Sequence, residues 1–360
     1  MNLQKVAALS CPLRRPLHDR LRVHAVMPLW QALIRVSLLA VAAHANSNAA
    51  DGSQLGTNEV TLYSPFYMSK DGSDMNRTWN ALTSWTHVVP QRNVIMFTEL
   101  ATSCQWLQHR FPSMLCVTSC THSQVMRQDL RCVTATAATL ASTPYLCLIN
   151  SDIMLLPDFK NALLAGSSLA GIQEPLVVGQ RTNVLMDTRI DFGRLDWAAR
   201  VSATAKRAGK LDGSCALDYF FHKKGMWQHV DMPPFVTGVM MWDRYLLSEA
   251  NMHPNVTTVD ATRSITAVHL KGTGYKSFTL RNNWDMNDRI WKSRKTTARQ
   301  DEGSTNKTDL RLSPDGSLQA NACSSKTRFS RSWRISVRRF SCVSIESACG
   351  VEFAHRKVNT

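Results

Sequence analysis

The sequence predicts an α/β protein of three layers, with helices on both faces of a mostly parallel central sheet. Three observations carry this. From Glu59 to His269, short apolar runs alternate with longer segments whose apolar residues recur at helical spacing. The most apolar run, Pro144 to Ile149, is continuous rather than alternating, as in a strand buried on both faces. A polar triplet, Asn150-Ser151-Asp152, follows it directly. That is where sheets of this kind bind ligands, beyond the carboxyl ends of their strands.

The elements can be taken in order. Val60 to Tyr63 is a short strand. Met75 to Val88 is a helix, with Trp79, Leu82, Trp85 and Val88 or Val89 on one face. Asn93 to Phe97 and Ser113 to Val117 are strands, and the alanine-rich Gln128 to Ala141 is a helix. After Pro144 to Ile149, a strand is expected over Glu174 to Val178 and a helix over Arg194 to Gly209. Asp218 to Phe221 is a short strand, Pro233 to Gly238 a tight loop, and Met240 to Ala250 a helix with Trp242, Tyr245 and Leu246 inward. Val256 to Asp260 and Ser264 to His269 are expected to pair as strands. There is no internal repeat.

Domain limits follow from composition. Residues 1–45 read as a targeting segment, either a signal peptide or a signal anchor: a basic stretch ending at Arg22, an apolar run Val26 to Ala43, and the small-x-small triplet Ala43-His44-Ala45. Arg35 interrupts that run and would cost roughly 2.5–3.5 kcal/mol inside a spanning helix, which favours a short hydrophobic region. An arginine-rich organellar transit segment has the same composition. Residues 46–57 are a small, polar linker, 58–291 the folded domain, and 292–360 a basic tail in which periodicity fades and disorder is expected.

The net charge of +15 suggests a nucleic-acid partner until it is located. Residues 1–45 carry about +5 and residues 292–360 about +8, leaving about +2 for the middle. No specific nucleic-acid partner is needed to explain so neutral a domain. Ten cysteines include no Cys-x-x-Cys pair, which speaks against structural zinc. Cys104, Cys116, Cys120 and Cys132 cluster ahead of the polar triplet, as disulfides in an oxidising compartment or as buried thiols in the cytosol. Three Asn-x-Thr triplets, at Asn76, Asn255 and Asn306, fit a secreted chain.

Four positions can carry chemistry. Asp152, after the buried strand, is the metal candidate; an Asx-turn or helix cap would show the same triplet. Asp243, in the first turn of its helix, is a candidate general base, or simply a charge complementing the helix N-terminus. His269 ends an apolar strand, as a ligand or as a hydrogen-bonded core residue. Gly238 permits close backbone approach to a phosphate or sugar, or is a turn glycine.

In that order, Asp152, Gly238, Asp243 and His269 resemble the core of GT-A glycosyltransferases: an acidic metal motif, a glycine loop, an acidic position on a helix and a late histidine. The wording is similar to a largely uncharacterised GT-A-like group from plants, algae and microbes. The resemblance covers about 60 to 275. It is carried by Trp79-Asn80-Ala81-Leu82-Thr83-Ser84-Trp85, by Ile149-Asn150-Ser151-Asp152-Ile153, by Asp218-Tyr219-Phe220 with Pro234-Phe235, Gly238 and Trp242-Asp243, and by Val259-Asp260-Ala261-Thr262 leading to Val268-His269.

The resemblance implies a GT-A (Rossmann-like) αβα sandwich and a nucleotide-diphosphate-sugar donor, with Mn²⁺ or Mg²⁺ on Asp152 and His269. It places Asn150, Asp152 and Gly238 at the donor, with Arg181, at a position where such proteins often carry a basic residue, meeting the diphosphate or else forming a surface salt bridge, and Asp243 as base of an inverting transfer. The acceptor would be a hydroxyl of a glycan, protein or small molecule. The N-terminus implies the secretory pathway, in Golgi or ER lumen, or secretion, with membrane association through residues 1–45. The chain departs from the group at Asn150, where an Asp is usual, at Val239, where Arg is usual, and at Leu270 and the following Lys271-Gly272-Thr273-Gly274-Tyr275. These departures keep open a catalytically silent GT-A-like protein that binds nucleotide or glycan. A sugar nucleotidyltransferase is disfavoured, because Ser64-Pro65-Phe66-Tyr67 stands where its glycine-rich phosphate loop would be.

Overall fold

A computed structural model describes residues 57–67, 75–122, 125–164, 172, 174–271, 281–293, 303–321 and 323–324. The targeting segment and, apart from Thr57, the linker lie outside the described residues. The strands are β1 (Val60–Pro65), β2 (Val94–Phe97), β3 (Leu115–Val117), β4 (Thr121–His122), β5 (Arg127–Gln128), β6 (Tyr145–Ile149), β7 (Ile153–Leu155), β8 (Pro175–Leu185), β9 (Lys210–Leu211), β10 (Leu217–Lys223), β11 (Thr257–Asp260), β12 (Ala267–Lys271), β13 (Leu310–Leu312) and β14 (Leu318–Ala320). The helices are α1 (Met75–Thr86), α2 (Ala101–Arg110), α3 (Leu130–Leu140), α4 (Asp158–Leu164), α5 (Trp197–Ala208), α6 (Trp242–Met252) and α7 (Arg281–Ser293).

The main sheet runs β14-β13-β11-β8-β10-β6-β1-β2-β3. β3, β2, β1 and β6 are parallel, and β10 is antiparallel to both its neighbours, β6 and β8. β8, β11 and β13 are again parallel to one another. Alternation along the strands sorts side chains into two cores. Leu62, Val94, Met96, Cys147, Ile149 and Val177 face one way, against Leu82 and Trp85 of α1, Leu107 of α2 and Phe159 of α4. Tyr63, Ile95, Phe97, Leu146, Leu148 and Val178 face the other, against Val133 of α3 and Trp242, Tyr245 and Leu246 of α6. This is the three-layer αβα sandwich with a mostly parallel sheet expected from the sequence. Each such fully buried side chain contributes about 1.5–3 kcal/mol.

β8 is longer than the Glu174 to Val178 expected, and it belongs to two sheets. Its first part pairs with β10 and β11; from Arg181 it pairs with β12 and, on the other edge, with the short β9. Gly179 stands just before the crossover and has no room for a side chain, since a Cβ there would meet the Tyr219 ring at 2.6 Å. The expectation that Val256 to Asp260 and Ser264 to His269 pair with each other is corrected. β11 and β12 both run parallel to β8 and lie one after the other along its length, so neither is beside the other. β12 instead pairs antiparallel with β7, closing a second, smaller sheet over the end of the first.

The expectation of a structureless tail from 292 is corrected over 303–324. β13 adds to the β11 edge and β14 folds back on it. Buried Asp309 explains why: its carboxylate accepts from Thr258 N–H at 3.0 Å and Thr258 Oγ1 at 3.1 Å, tying this segment to β11. Few apolar residues are needed where such bonds fix the edge. Residues 294–302 and 325–360 lie outside the described residues. Among the described residues no helix is long and apolar enough to cross a membrane.

The clustered cysteines form two disulfides, Cys104–Cys116 and Cys120–Cys132. Cys215 and Cys323 are disulfide-bonded as well, and Cys147 is a buried free thiol.

Candidate active site

The turn after β6 carries Asn150 and Asp152, and α1 holds that turn in place. Trp85 Nε1 donates to the Ile153 carbonyl at 2.8 Å, and Ser84 Oγ accepts from Leu155 N–H at 3.1 Å. Asn80 of the same helix spans the loop 188–190, donating to the Thr188 carbonyl and accepting from Ile190 N–H, both at 2.9 Å. The motif Trp79 to Trp85 is thus a platform for the metal-candidate turn and for the end of β8, not a set of ligand contacts.

β12 then delivers His269 to the same place. Its cross-strand neighbours are Asn183 on β8 and Ile153 on β7, and its Nε2 lies 3.1 Å from Asp152 Oδ2. Asn183 Nδ2 donates to Asp212 Oδ2 at 2.9 Å, so its Oδ1 is what faces His269 Nδ1, 2.7 Å away. Nδ1 therefore carries a proton, and Nε2 of the neutral ring turns a lone pair on a carboxylate oxygen. Two lone-pair donors so close need a positive charge between them, either a second ring proton or a cation. Adjacent corners of an octahedron with ~2.1 Å metal–ligand bonds are about 3 Å apart, so the 3.1 Å separation fits one Mg²⁺ or Mn²⁺. Among the described residues no group of three or more His, Cys, Asp or Glu could hold a metal. Two protein ligands are enough where phosphate oxygens supply others. Asp152 is 46% exposed and His269 5%, so the pair opens to solvent on the carboxylate side. Desolvation by the surrounding protein raises the Asp152 carboxyl, but His269 and then Arg181 outweigh it and hold the group below the usual range.

Behind this pair lies a network that the sequence did not single out. Asp218 sits at a β-bulge opening β10, where register shifts between Leu217 and Tyr219; bulges re-aim side chains near sites. Buried Asp218 accepts two hydrogen bonds of 3.1 Å from Arg181 Nη1 and one from Asn150 Nδ2. Arg181 Nε also donates to Asp212 Oδ2 at 2.9 Å. Burial lowers the Arg181 pKa, but Asp218, Asp212 and Asp152 together drive it upward, so the guanidinium is a fixed positive charge beside the site. The Asn150 amide nitrogen gives one hydrogen to Asp218, which orients the side chain and leaves its Oδ1 and second N–H for a ligand. In the sequence Asp218 stood as a charged residue opening an otherwise apolar strand and as part of the Asp218-Tyr219-Phe220 resemblance, with no role of its own.

Asp243 lies in the first turn of α6, with Oδ1 accepting from Arg244 N–H at 2.9 Å. Burial raises its carboxyl to about 6; Arg244 N–H opposes this, Asp218 adds to it, and Arg181 lowers it again. It is thus electrostatically part of the same cluster. A carboxylate poised near neutrality is what a general base requires. The segment entering α6 is strained: Gly238 has φ 76° and Met241, a side-chain-bearing residue, φ 83°.

Gly238 adopts a left-handed turn, and a Cβ there would meet the Tyr67 ring at 2.7 Å, so its turn role is met whether or not its backbone also approaches a ligand. Tyr67 in turn bonds the Thr237 hydroxyl at 2.6 Å and accepts from Gln128 N–H at 3.2 Å, with the Arg127 guanidinium 4.3 Å over its ring. The structure therefore brings Asn150, Asp152, Arg181 and His269 together, couples Asp243 to them through charge, and places Gly238 in a left-handed turn of the loop leading to α6.

No protein-family model matches the sequence, and no curated protein matches it. Among solved structures, the chain is similar to a fragment of TarS from S. aureus (residues 1–349), at 11% identity and a TM-score of 0.26 over 35% of this chain and 36% of that one. It is also similar to the mannosyltransferase PcManGT from Pyrobaculum calidifontis, solved with GDP-Man and Mn²⁺, at 12% identity and a TM-score of 0.38 over 76% of this chain and 77% of that one. A third is mannose-1-phosphate geranyltransferase from Thermus thermophilus, at 8% identity and a TM-score of 0.29 over 45% of this chain and 57% of that one. The chain thus spans about a third of the TarS fragment. At these values the likeness says nothing about substrate.

Proposed function

We propose that this chain is a GT-A-type glycosyltransferase that moves a sugar from a nucleotide-diphosphate donor to an acceptor hydroxyl, with inversion and with Mn²⁺ or Mg²⁺. The observation that carries the reading is the convergence of Asp152 Oδ2 and His269 Nε2, 3.1 Å apart at the carboxyl end of β6, beside an Arg181 charge and a carboxylate at Asp243 raised to about 6. A divalent ion held there would neutralise the diphosphate leaving group. The other roles fall to the chain's own residues. Arg181, fixed by Asp212 and Asp218, stabilises negative charge developing on the diphosphate. Asn150 orients a water or a ribose hydroxyl of the donor. Asp243 takes the acceptor proton as the acceptor oxygen attacks the anomeric carbon from the face opposite the departing diphosphate.

The disulfides support a secretory-pathway placement, in Golgi or ER lumen or outside the cell, because such bonds persist in oxidising compartments. The test is release of nucleoside diphosphate from a panel of nucleotide sugars, with and without Mn²⁺, by the full chain and by D243N. Metal-dependent release that D243N lowers by about 10²–10⁴-fold supports the reading. Binding of nucleotide without release by the unaltered chain, across acceptors, would favour a silent binding protein, as the Val239 and Leu270 departures allow.

A further inference from the structure

The three Asn-x-Thr triplets are treated differently by the fold. Asn76 Nδ2 donates to the Asp187 carbonyl at 3.0 Å, and its Oδ1 accepts from Arg189 Nε at 3.1 Å. Asn306 Nδ2 donates to Ser214 Oγ at 3.2 Å, and its carbonyl accepts from Asn321 at 3.1 Å. Both amides are structural ties between distant parts of the chain. Asn255 is different. It is exposed in the turn between α6 and β11, where its backbone N–H donates to His253 Nδ1 at 3.3 Å. Its side-chain amide has no hydrogen-bond partner among the described residues. Val256 turns inward and Thr257 N–H joins the sheet by donating to the Glu174 carbonyl at 2.9 Å, which leaves Asn255 on the rim.

The disulfides supply the second observation. Cys104–Cys116, Cys120–Cys132 and the bonded Cys215 and Cys323 are the signature of a chain that folds in an oxidising compartment, which is also where asparagine side chains are glycosylated. We propose that Asn255 carries an N-linked glycan. In the transfer, Nδ2 forms a bond to the anomeric carbon of a lipid-diphosphate-linked oligosaccharide. The anomeric C–O bond breaks, the lipid diphosphate leaves with that electron pair, and the amide gives up one proton.

The position suits an enzyme. β11 is parallel to β8, and β8 runs with β6, so Asn255, ahead of β11, lies at the sheet rim opposite Asp152, which follows the carboxyl end of β6. A glycan there leaves the candidate site open. The inference rests on the secretory placement proposed above and not on the transfer chemistry, so the two fail separately.

The test is to express the full chain behind its own N-terminus in eukaryotic cells and treat it with an amidase that releases N-linked glycans. The expected result is a loss of mass with Asn255 converted to aspartate in the peptide spectrum. N255Q should remove that loss, while N76Q and N306Q keep it, and N255Q should leave both the melting temperature and nucleotide-diphosphate release unchanged. An amidase-insensitive chain, or a mass loss that survives in N255Q, would overturn the proposal, as would a glycan found on Asn76 or Asn306 with Asn255 bare.

Discussion

His269 Nε2 and Asp152 Oδ2 face each other across 3.1 Å with no hydrogen between them when the imidazole is neutral, because Asn183 fixes the ring proton on Nδ1. The two atoms need a positive charge between them, a second ring proton or a cation, and on the proposed reading it is a metal ion. Removing either ligand, in D152A or H269A, should abolish metal-dependent nucleotide binding. N183A leaves both ligands in place but frees the ring, and should cost about 10–100-fold in metal affinity. Metal titration followed by calorimetry checks all three, and unchanged affinity in N183A would show that the ring orientation is irrelevant.

Asp243 gives the pH dependence its sign. Its carboxyl is raised to about 6, so the base is protonated and idle below that pH and turnover should rise through it to a plateau. The same shift means that the folded state holds a proton the unfolded chain has lost between about pH 4 and 6. Above that window the buried carboxylate works against the fold. D243N should therefore lose turnover and gain stability at pH 7, by on the order of 1–2 kcal/mol. A pH–rate profile and melting curves of the two proteins check both halves.

Arg181 and Asp218 are a coupled pair, with Asp218 only 2% exposed. R181A leaves that carboxylate buried without its guanidinium and should cost about 3–5 kcal/mol. The double variant R181M/D218N, which removes both charges, should recover part of this while staying inactive. Urea unfolding of the single and double variants measures the coupling; additive losses would mean that the pair does not interact.

His222 is far from the site and carries a stability expectation. It is buried between Tyr63, whose hydroxyl lies 3.0 Å from Nε2, and the Lys223 carbonyl, 2.9 Å from Nδ1. Burial outweighs the Lys223 bond and lowers its pKa from 6.5 to about 4. Its neutral form is therefore compatible with the fold at neutral pH, and stability is lost as pH falls from 6.5 towards 4, by about 3 kcal/mol. H222Q should flatten that part of the melting-temperature profile; an unchanged slope would assign the loss to other groups.

How much of this was legible in the sequence depended on locality. The apolar run of β6 and the polar residues after it were readable because both signals are local, and with them the place of Asp152. The αβα layering was readable because the runs that form β2 and β6 are continuously apolar, as in strands buried on both faces, and alternate with segments of helical spacing. The bifurcation of β8 was not, since nothing in residues 180–185 says that a second sheet begins there; only the register with β12 does. Asp218 was missed for a similar reason: its role comes from a bulge and from two partners 37 and 68 residues away in sequence. Gly238 was legible as a special backbone position, while the Tyr67 ring that fills its Cβ side, from far away in sequence, was not. Residues 303–324 were misread because their apolar contribution is short, Leu310, Leu312 and Leu318, and the rest of their anchoring is polar, through Asp309 and Thr258.

The most direct measurement is a thermal-shift titration of the full chain with UDP, GDP and CMP, each with and without Mn²⁺, repeated on D152A. The expected result is stabilisation by one nucleoside diphosphate only when Mn²⁺ is present, reaching about 2.7 kcal/mol at a hundred times Kd and disappearing in D152A. A shift that is equal without metal, or that D152A retains in full, would contradict a metal-bridged donor site at Asp152 and His269.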